Sequence, residues 1–272
     1  MADLVTQTWY KTALTLYKAF PVFGLASFFI DAPFGRFSAG ADPKKGSVFS
    51  RKLNLDGQLA WIIMELPSPV TIVSVYLNSP TRPPIGLNPS TLFVALWVAH
   101  YANRAVISPL RTPTRNHSHV SVVLAGIGFN LLNAGLNGAW FASPAFRGAS
   151  FNHTGFWAGL VLFAIGMASN IWHDEVLLNI RRQGKRKYGI PYGGLYSWIS
   201  YPNYFSEWIE WGGFALAAAA VSGSGFAMTP PMLFLMNEVA TMLPRAISGH
   251  RWYHEKFEDY PKERKAVLPF IL

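Results

Sequence analysis

Seven stretches of this chain are long and apolar enough to be read as bilayer-crossing helices, and its basic residues lie almost entirely between them. A helix crosses the hydrocarbon core with about 20 mostly apolar residues. The stretches run over 8–30, 58–77, 89–107, 119–141, 156–172, 204–222 and 226–243. Lys11 and Lys18 interrupt the first, and both can extend their stems toward the headgroups. Little more than "GSG" separates the last two, which predicts a tight helical hairpin. Composition agrees: 14% of residues are charged and 51% hydrophobic, against about 25% charged in soluble domains.

The seven-span reading is tested by charge. The loops after spans one, three and five share a side with the C-terminal tail. They hold Arg36, Lys44, Lys45, Arg51 and Lys52; then Arg104, Arg111 and Arg115; then Arg181, Arg182, Lys185, Arg186 and Lys187. The tail adds Arg245, Arg251, Lys256, Lys262, Arg264 and Lys265, making 19 of 23 Lys/Arg. Only Arg82 and Arg147 fall opposite. This asymmetry places the tail in the cytosol. It also accounts for the net charge of +9 without nucleic acid, because the bases sit at membrane boundaries. Zero cysteines exclude disulfides, thiolate zinc sites and cysteine nucleophiles. The first apolar stretch lacks a basic leader and is too long for a cleavable signal. With no internal repeat or linker, 1–272 reads as one membrane domain.

Ionisable and amide side chains within spans mark sites. Glu65 lies mid-span in "MELPSPV", where Pro67 removes a backbone donor and can kink the helix. Tyr101 and Arg104, in "HYANR", are its candidate partners. A glutamic acid beside a tyrosine hydroxyl suits polarising a carbonyl; a plain ion pair is the alternative. Asn170 and Asp174 share a helix face, with Arg181 two turns on. His173 is one step off that face and reads as interfacial rather than as a metal ligand. Asn203, Glu207 and Glu210 form a polar stripe beside Trp208 and Trp211; cytosolic-rim bases could instead be the partners of the two acids. Arg245, His250 and Tyr253 could gather around an anionic group, and the rest of the tail reads as an interfacial helix and extended end. Arginines, amides and carboxylates leading into an aromatic interior suit a ligand with a phosphorylated end and an apolar reactant from lipid. No strand-linked GxGxxG is present, so any dinucleotide is held without a Rossmann fold.

Five motifs in order, "ELPS", "HYANR", "NIWHDEVL", "GIPYGGLYSWISYPNYFSEWIEWGGFALA" and "HRWYHEKFEDYPKERKAVLPFIL", resemble the steroid 5α-reductase (3-oxo-5α-steroid 4-dehydrogenase) family. The resemblance runs from Gln58 to Leu272; residues 1–57 match only as a first span and loop. It implies an all-α membrane protein of seven transmembrane helices in the endoplasmic reticulum, NADPH as hydride donor, and an apolar enone lipid, typically a 3-oxo-Δ4-steroid, as acceptor. It makes Glu65 and Tyr101 the pair on the carbonyl oxygen. Asn170, Asp174, Arg181, Tyr188, Asn203, Glu207, Arg245, His250, Tyr253 and Arg104 become cofactor contacts. Trp61, Phe129 and Trp211 become substrate contacts, and no metal is implied. Two positions depart from the animal pattern: Met64 replaces a glutamine, and the histidine run before Arg251 is reduced to "SGH". Related alternatives are trans-2-enoyl-CoA and polyprenal reductases; more distant are isoprenylcysteine methyltransferases and non-catalytic sterol binders.

Overall fold

The computed structural model describes residues 3–26, 28, 53–183 and 188–272. The bases expected at 36–52 and 185–187 lie outside the described residues. All seven apolar stretches contain helix. The first is α1 (Thr8–Ala26). The second is broken into α2 (Gly57–Glu65) and α3 (Pro67–Asn78), because Pro67 has no N–H to continue the ladder past Leu66. Asp56 caps α2 by accepting from the Gln58 and Leu59 N–H groups at 3.0 and 2.9 Å.

The third stretch is α4 (Pro89–Tyr101), capped by Asn88. It continues through a π turn over Ala102–Ile107 into the short α5 (Ser108–Arg111). The Ser108 N–H reaches back five residues to the Asn103 carbonyl. Pro109 then denies the Ala105 carbonyl its usual donor, so the wide turn has a sequence cause. Next come α6 (Val120–Phe141) and α7 (Thr154–Arg182). A two-residue antiparallel pairing of β1 (Asn54–Leu55) with β2 (Ser118–His119) ties the starts of α2 and α6 together.

The last two stretches are α8 (Pro202–Ser222) and α9 (Pro230–Lys256). Gly223 ends α8 in the left-handed region at φ 65°. Phe226–Met228 forms a separate 3-10 turn, so the seventh helix begins at Pro230 rather than at 226. It also runs on to Lys256, beyond the expected end at 243, and so carries Arg245, His250 and Tyr253.

Among the described residues, α2–α3, α6 and α7 are long and apolar enough to cross a membrane by length and composition. The core is aromatic: Trp97 is fully buried against Tyr101, Trp211, Phe214 and Phe234. Between α7 and α8 the backbones approach closely. A Cβ built on Gly213 would lie 2.5 Å from the Gly159 carbonyl oxygen and from the Phe163 nitrogen. Small residues permit that approach, as in helix pairs packed within lipid.

Candidate active site

Arg104 sits in the π turn, where the widened backbone carries it in among the polar ends of α2, α7 and α8. Its Nε donates to Glu65 Oε1 at 3.3 Å and its Nη1 to Glu207 Oε1 at 2.8 Å. Its own carbonyl accepts from Trp61 Nε1 at 3.0 Å, and its guanidinium lies 5.2 Å from the Trp61 ring centre. One cation thus joins two buried carboxylates on different helices. Glu65 has the ion-pair partner that was the simpler of its two readings.

Glu65 and Tyr101 meet through an intermediary. Tyr101 donates its hydroxyl proton to Asn130 Oδ1 at 3.1 Å, and Asn130 Nδ2 donates to Glu65 Oε2 at 3.3 Å and to the Met64 carbonyl at 2.8 Å. An amide can donate and accept at once, so Asn130 on α6 replaces the direct contact that sequence suggested. Met64 itself packs against Gly126 of α6, where a side chain would collide with its thioether.

The polar stripe on α8 faces α7. Asn170 Nδ2 donates to the Asn203 carbonyl at 2.9 Å and approaches Glu207 Oε2 at 3.4 Å, while Asn203 Nδ2 donates to Asp174 Oδ1 at 3.1 Å. Glu210 turns the other way, its Oε1 lying 2.6 Å from His100 Nδ1. Neither His100 Nε2 nor Glu210 Oε2 has a further partner, although both are buried. A small cavity of about 40 Å³ lies between Trp61, Arg104, Arg115, Asn170, Asp174 and Glu210. That is room for a few waters.

Trp211 and Phe129 belong to the aromatic wall. Trp211 lies 4.6 Å from the rings of both His100 and Phe234, and Phe129 touches Tyr17, Phe20 and Phe234. Tyr188, His250 and Tyr253 sit in the layer formed by the end of α9 and the segment after it. Tyr188 accepts from Asn116 Nδ2 at 2.9 Å and packs on Trp252. His250 Nδ1 lies 2.6 Å from Ser200 Oγ, and Tyr253 stacks on Tyr260 at 5.0 Å. Arg245 lies two turns above Tyr253 on α9. Arg181 closes α7 within electrostatic reach of Asp174 and Arg115.

His173 is buried, not interfacial as expected. Its Nε2 accepts from the Leu195 N–H at 3.1 Å while Nδ1 faces the Ser169 carbonyl at 2.6 Å, so it clips a loop onto α7. Among the described residues no cluster of three metal-ligating side chains exists.

Sequence reasoning passed over Asn130, His100 and Arg115. Arg115 stands 4.4 Å from the Trp61 ring centre, lines the cavity, and has a buried Nε without a partner. Burial lowers its pKa to about 10, with Asp174 opposing the shift, so it stays a cation at neutral pH. An orphaned cationic N–H beside amides and carboxylates fits the phosphate and ribose groups of a dinucleotide. The cavity in this arrangement, about 40 Å³, is too small to enclose one.

A family model described as 3-oxo-5-alpha-steroid 4-dehydrogenase matches residues 116–272. A steroid 5-alpha-reductase DET2 of Solanum lycopersicum is 37% identical over 262 residues, covering 94% of this chain and 93% of the relative. The 3-oxo-5-alpha-steroid 4-dehydrogenase 1 of Rattus norvegicus is 32% identical, over 92% and 90%. The steroid 5-alpha-reductase DET2 of Arabidopsis thaliana is 30% identical over the full length of both chains, so similarity extends through the first 57 residues.

Proposed function

The chain belongs to the 3-oxo-5-alpha-steroid 4-dehydrogenase family, and on that premise we propose that it is a membrane-integral oxidoreductase that saturates the C=C bond of an enone lipid, a 3-oxo-Δ4-steroid, using NADPH. In this reading seven helical units cross the endoplasmic reticulum membrane, with the C-terminal segment in the cytosol.

The observation that carries the reading is the Glu65–Asn130–Tyr101 relay, set between an aromatic wall and the Arg104–Glu207 pair. Asn130 fixes both acids toward one point, where the enone oxygen is held. Negative charge develops on that oxygen during reduction. Tyr101 opposes it through its hydroxyl, with Glu65 held beside it by Asn130 and Arg104. Preorganised donors of this kind contribute most in a site from which water is excluded, and Trp97, Trp211 and Phe129 exclude it. On the cytosolic side, Asn170, Asn203, Asp174 and Glu207 offer donors and acceptors to nicotinamide and ribose. Arg115 and Arg181 offer charge to phosphate. When bound, NADPH would supply the hydride that adds at the β-carbon of the enone, and the enolate so formed takes a proton from water at its α-carbon.

The test is product analysis by mass spectrometry after incubating membranes with a 3-oxo-Δ4-steroid and NADPH. A gain of two hydrogens is expected, with Glu65→Gln and Tyr101→Phe each losing roughly 10²–10³-fold in turnover while NADPH binding persists. Wild-type turnover of enoyl-CoA but not of steroid would overturn the substrate assignment.

A further inference from the structure

The residues after α9 form an apolar hook on the surface. Ala266 and Val267 are buried, yet Phe270 and Ile271 are 75% and 78% exposed. Phe270 adopts φ 67°, a left-handed conformation that bulky residues rarely take. The turn is nevertheless held: the Val267 and Leu268 N–H groups donate to the Leu272 carbonyl at 2.7 and 2.6 Å. A strained backbone and two large apolar side chains held in the open need a partner phase to explain them.

The position of the hook identifies that phase. Lys265 pairs in parallel with Ile199: its N–H donates to the Trp198 carbonyl at 2.8 Å, and its carbonyl accepts from the Ser200 N–H at 2.9 Å. The Phe270 ring lies 5.7 Å from that of Trp198, itself 48% exposed. Trp198 precedes the first residue of α8 by four positions, which is where tryptophans mark the boundary between headgroups and acyl chains. Phe270 therefore shares that depth. Lys262 and Lys265 are exposed on the same segment, beside Glu258, Asp259 and Glu263, and can reach phosphate headgroups.

The geometry points to insertion of Phe270 and Ile271 into the cytosolic-leaflet interface, as a lipid-bound clasp on the strand-like segment at 198–201. This rests on the membrane-spanning reading above. Its consequence concerns the site, because the clasped residues lead directly into Asn203 and Glu207. The lipid surface would hold the start of α8 in register.

The absence of cysteine allows a direct test. Spin labels are placed singly at F270C, I271C, K262C and I165C, the last on the exposed apolar face of α7. In nanodiscs of mixed neutral and anionic lipid, accessibility to oxygen and to a water-soluble nickel chelate is measured at each site. Positions 270 and 271 are expected to resemble 165, with an oxygen-to-nickel ratio several-fold above that at 262. A ratio at 270 and 271 equal to that at 262, with 165 still lipid-protected, overturns the hook alone. Equal ratios at all four positions overturn the spanning reading and the hook with it.

Discussion

Glu210 was conspicuous in the sequence as a carboxylate at the mouth of an apolar run, and its partner was among the nearby bases only in space. His100 lies 110 residues away in sequence and next to the more obvious Tyr101. Asn130 was hidden likewise, one amide in the run "FNLLNAGLNG". Periodicity can place such side chains on a face, but it cannot say which face meets which. The buried His100–Glu210 pair makes a prediction of its own. Truncating either member leaves the other's polar atoms unpaired, which costs about 1–3 kcal/mol. Thermal midpoints in detergent for H100A, E210A and the double variant should therefore show a double loss well below the sum. Additive losses would mean the two residues are not coupled. A second residue-scale effect concerns pH. Burial, then His254 and Lys265, lowers the His250 pKa to about 4, against about 6.5 in an unfolded chain. Between these values the unfolded state binds more protons, so stability is full above about pH 6.5 and falls as pH drops toward 4. His250→Asn should flatten the thermal midpoint over that window; an unchanged slope would assign it to other groups.

At the level of elements, hydropathy located all seven helical units because exposed and core-facing positions are both largely apolar. Pro67 announced the break between α2 and α3. The π turn at 102–107 was not legible as such. It depends on which carbonyl the Ser108 N–H finds, and Pro109 only narrows the choice. The close approach of α7 and α8 was equally silent, since glycines in apolar helices are common whether or not they are needed. Here the need is concrete. A Cβ on Gly166 would lie 2.6 Å from Glu210 Cα and 2.7 Å from the Ser206 carbonyl oxygen, both backbone atoms. Gly166→Ala must push apart the two helices that carry Asn170 and Glu207, at a cost of about 1–3 kcal/mol from overpacking. Gly128 of α6 has open space beside it, so Gly128→Ala should be neutral or gain roughly 0.5–1 kcal/mol from helix propensity. Melting both variants side by side checks this. Equal midpoints would show that α7 and α8 tolerate a wider spacing.

For the whole molecule, the charge asymmetry and the site make one argument. Glu65 lies nine residues into α2 by its numbering from Gly57, about 12 Å at 1.5 Å per residue. Arg104 follows the end of α4, Asp174 lies in the last third of α7, and Asn203 opens α8. If the seven units cross alternately, these four ends share the side that collects the bases. Glu65, Glu207, Arg104, Asn170 and Asp174 then lie together in the cytosolic half of the bundle. A water-soluble cofactor and a lipid-soluble reactant can meet there without either crossing the membrane. The orientation is open to direct measurement. In sealed vesicles with the cytosolic face outward, a cysteine at Thr114, exposed in the loop before α6, should react at once with a membrane-impermeant maleimide. One at Leu87, 96% exposed before α4, should react only after permeabilisation. The reverse pattern would invert the bundle, and immediate labelling of both would remove the third span, which lies between them. Inversion would also separate the site from the cytosolic supply of NADPH on which the proposed chemistry depends.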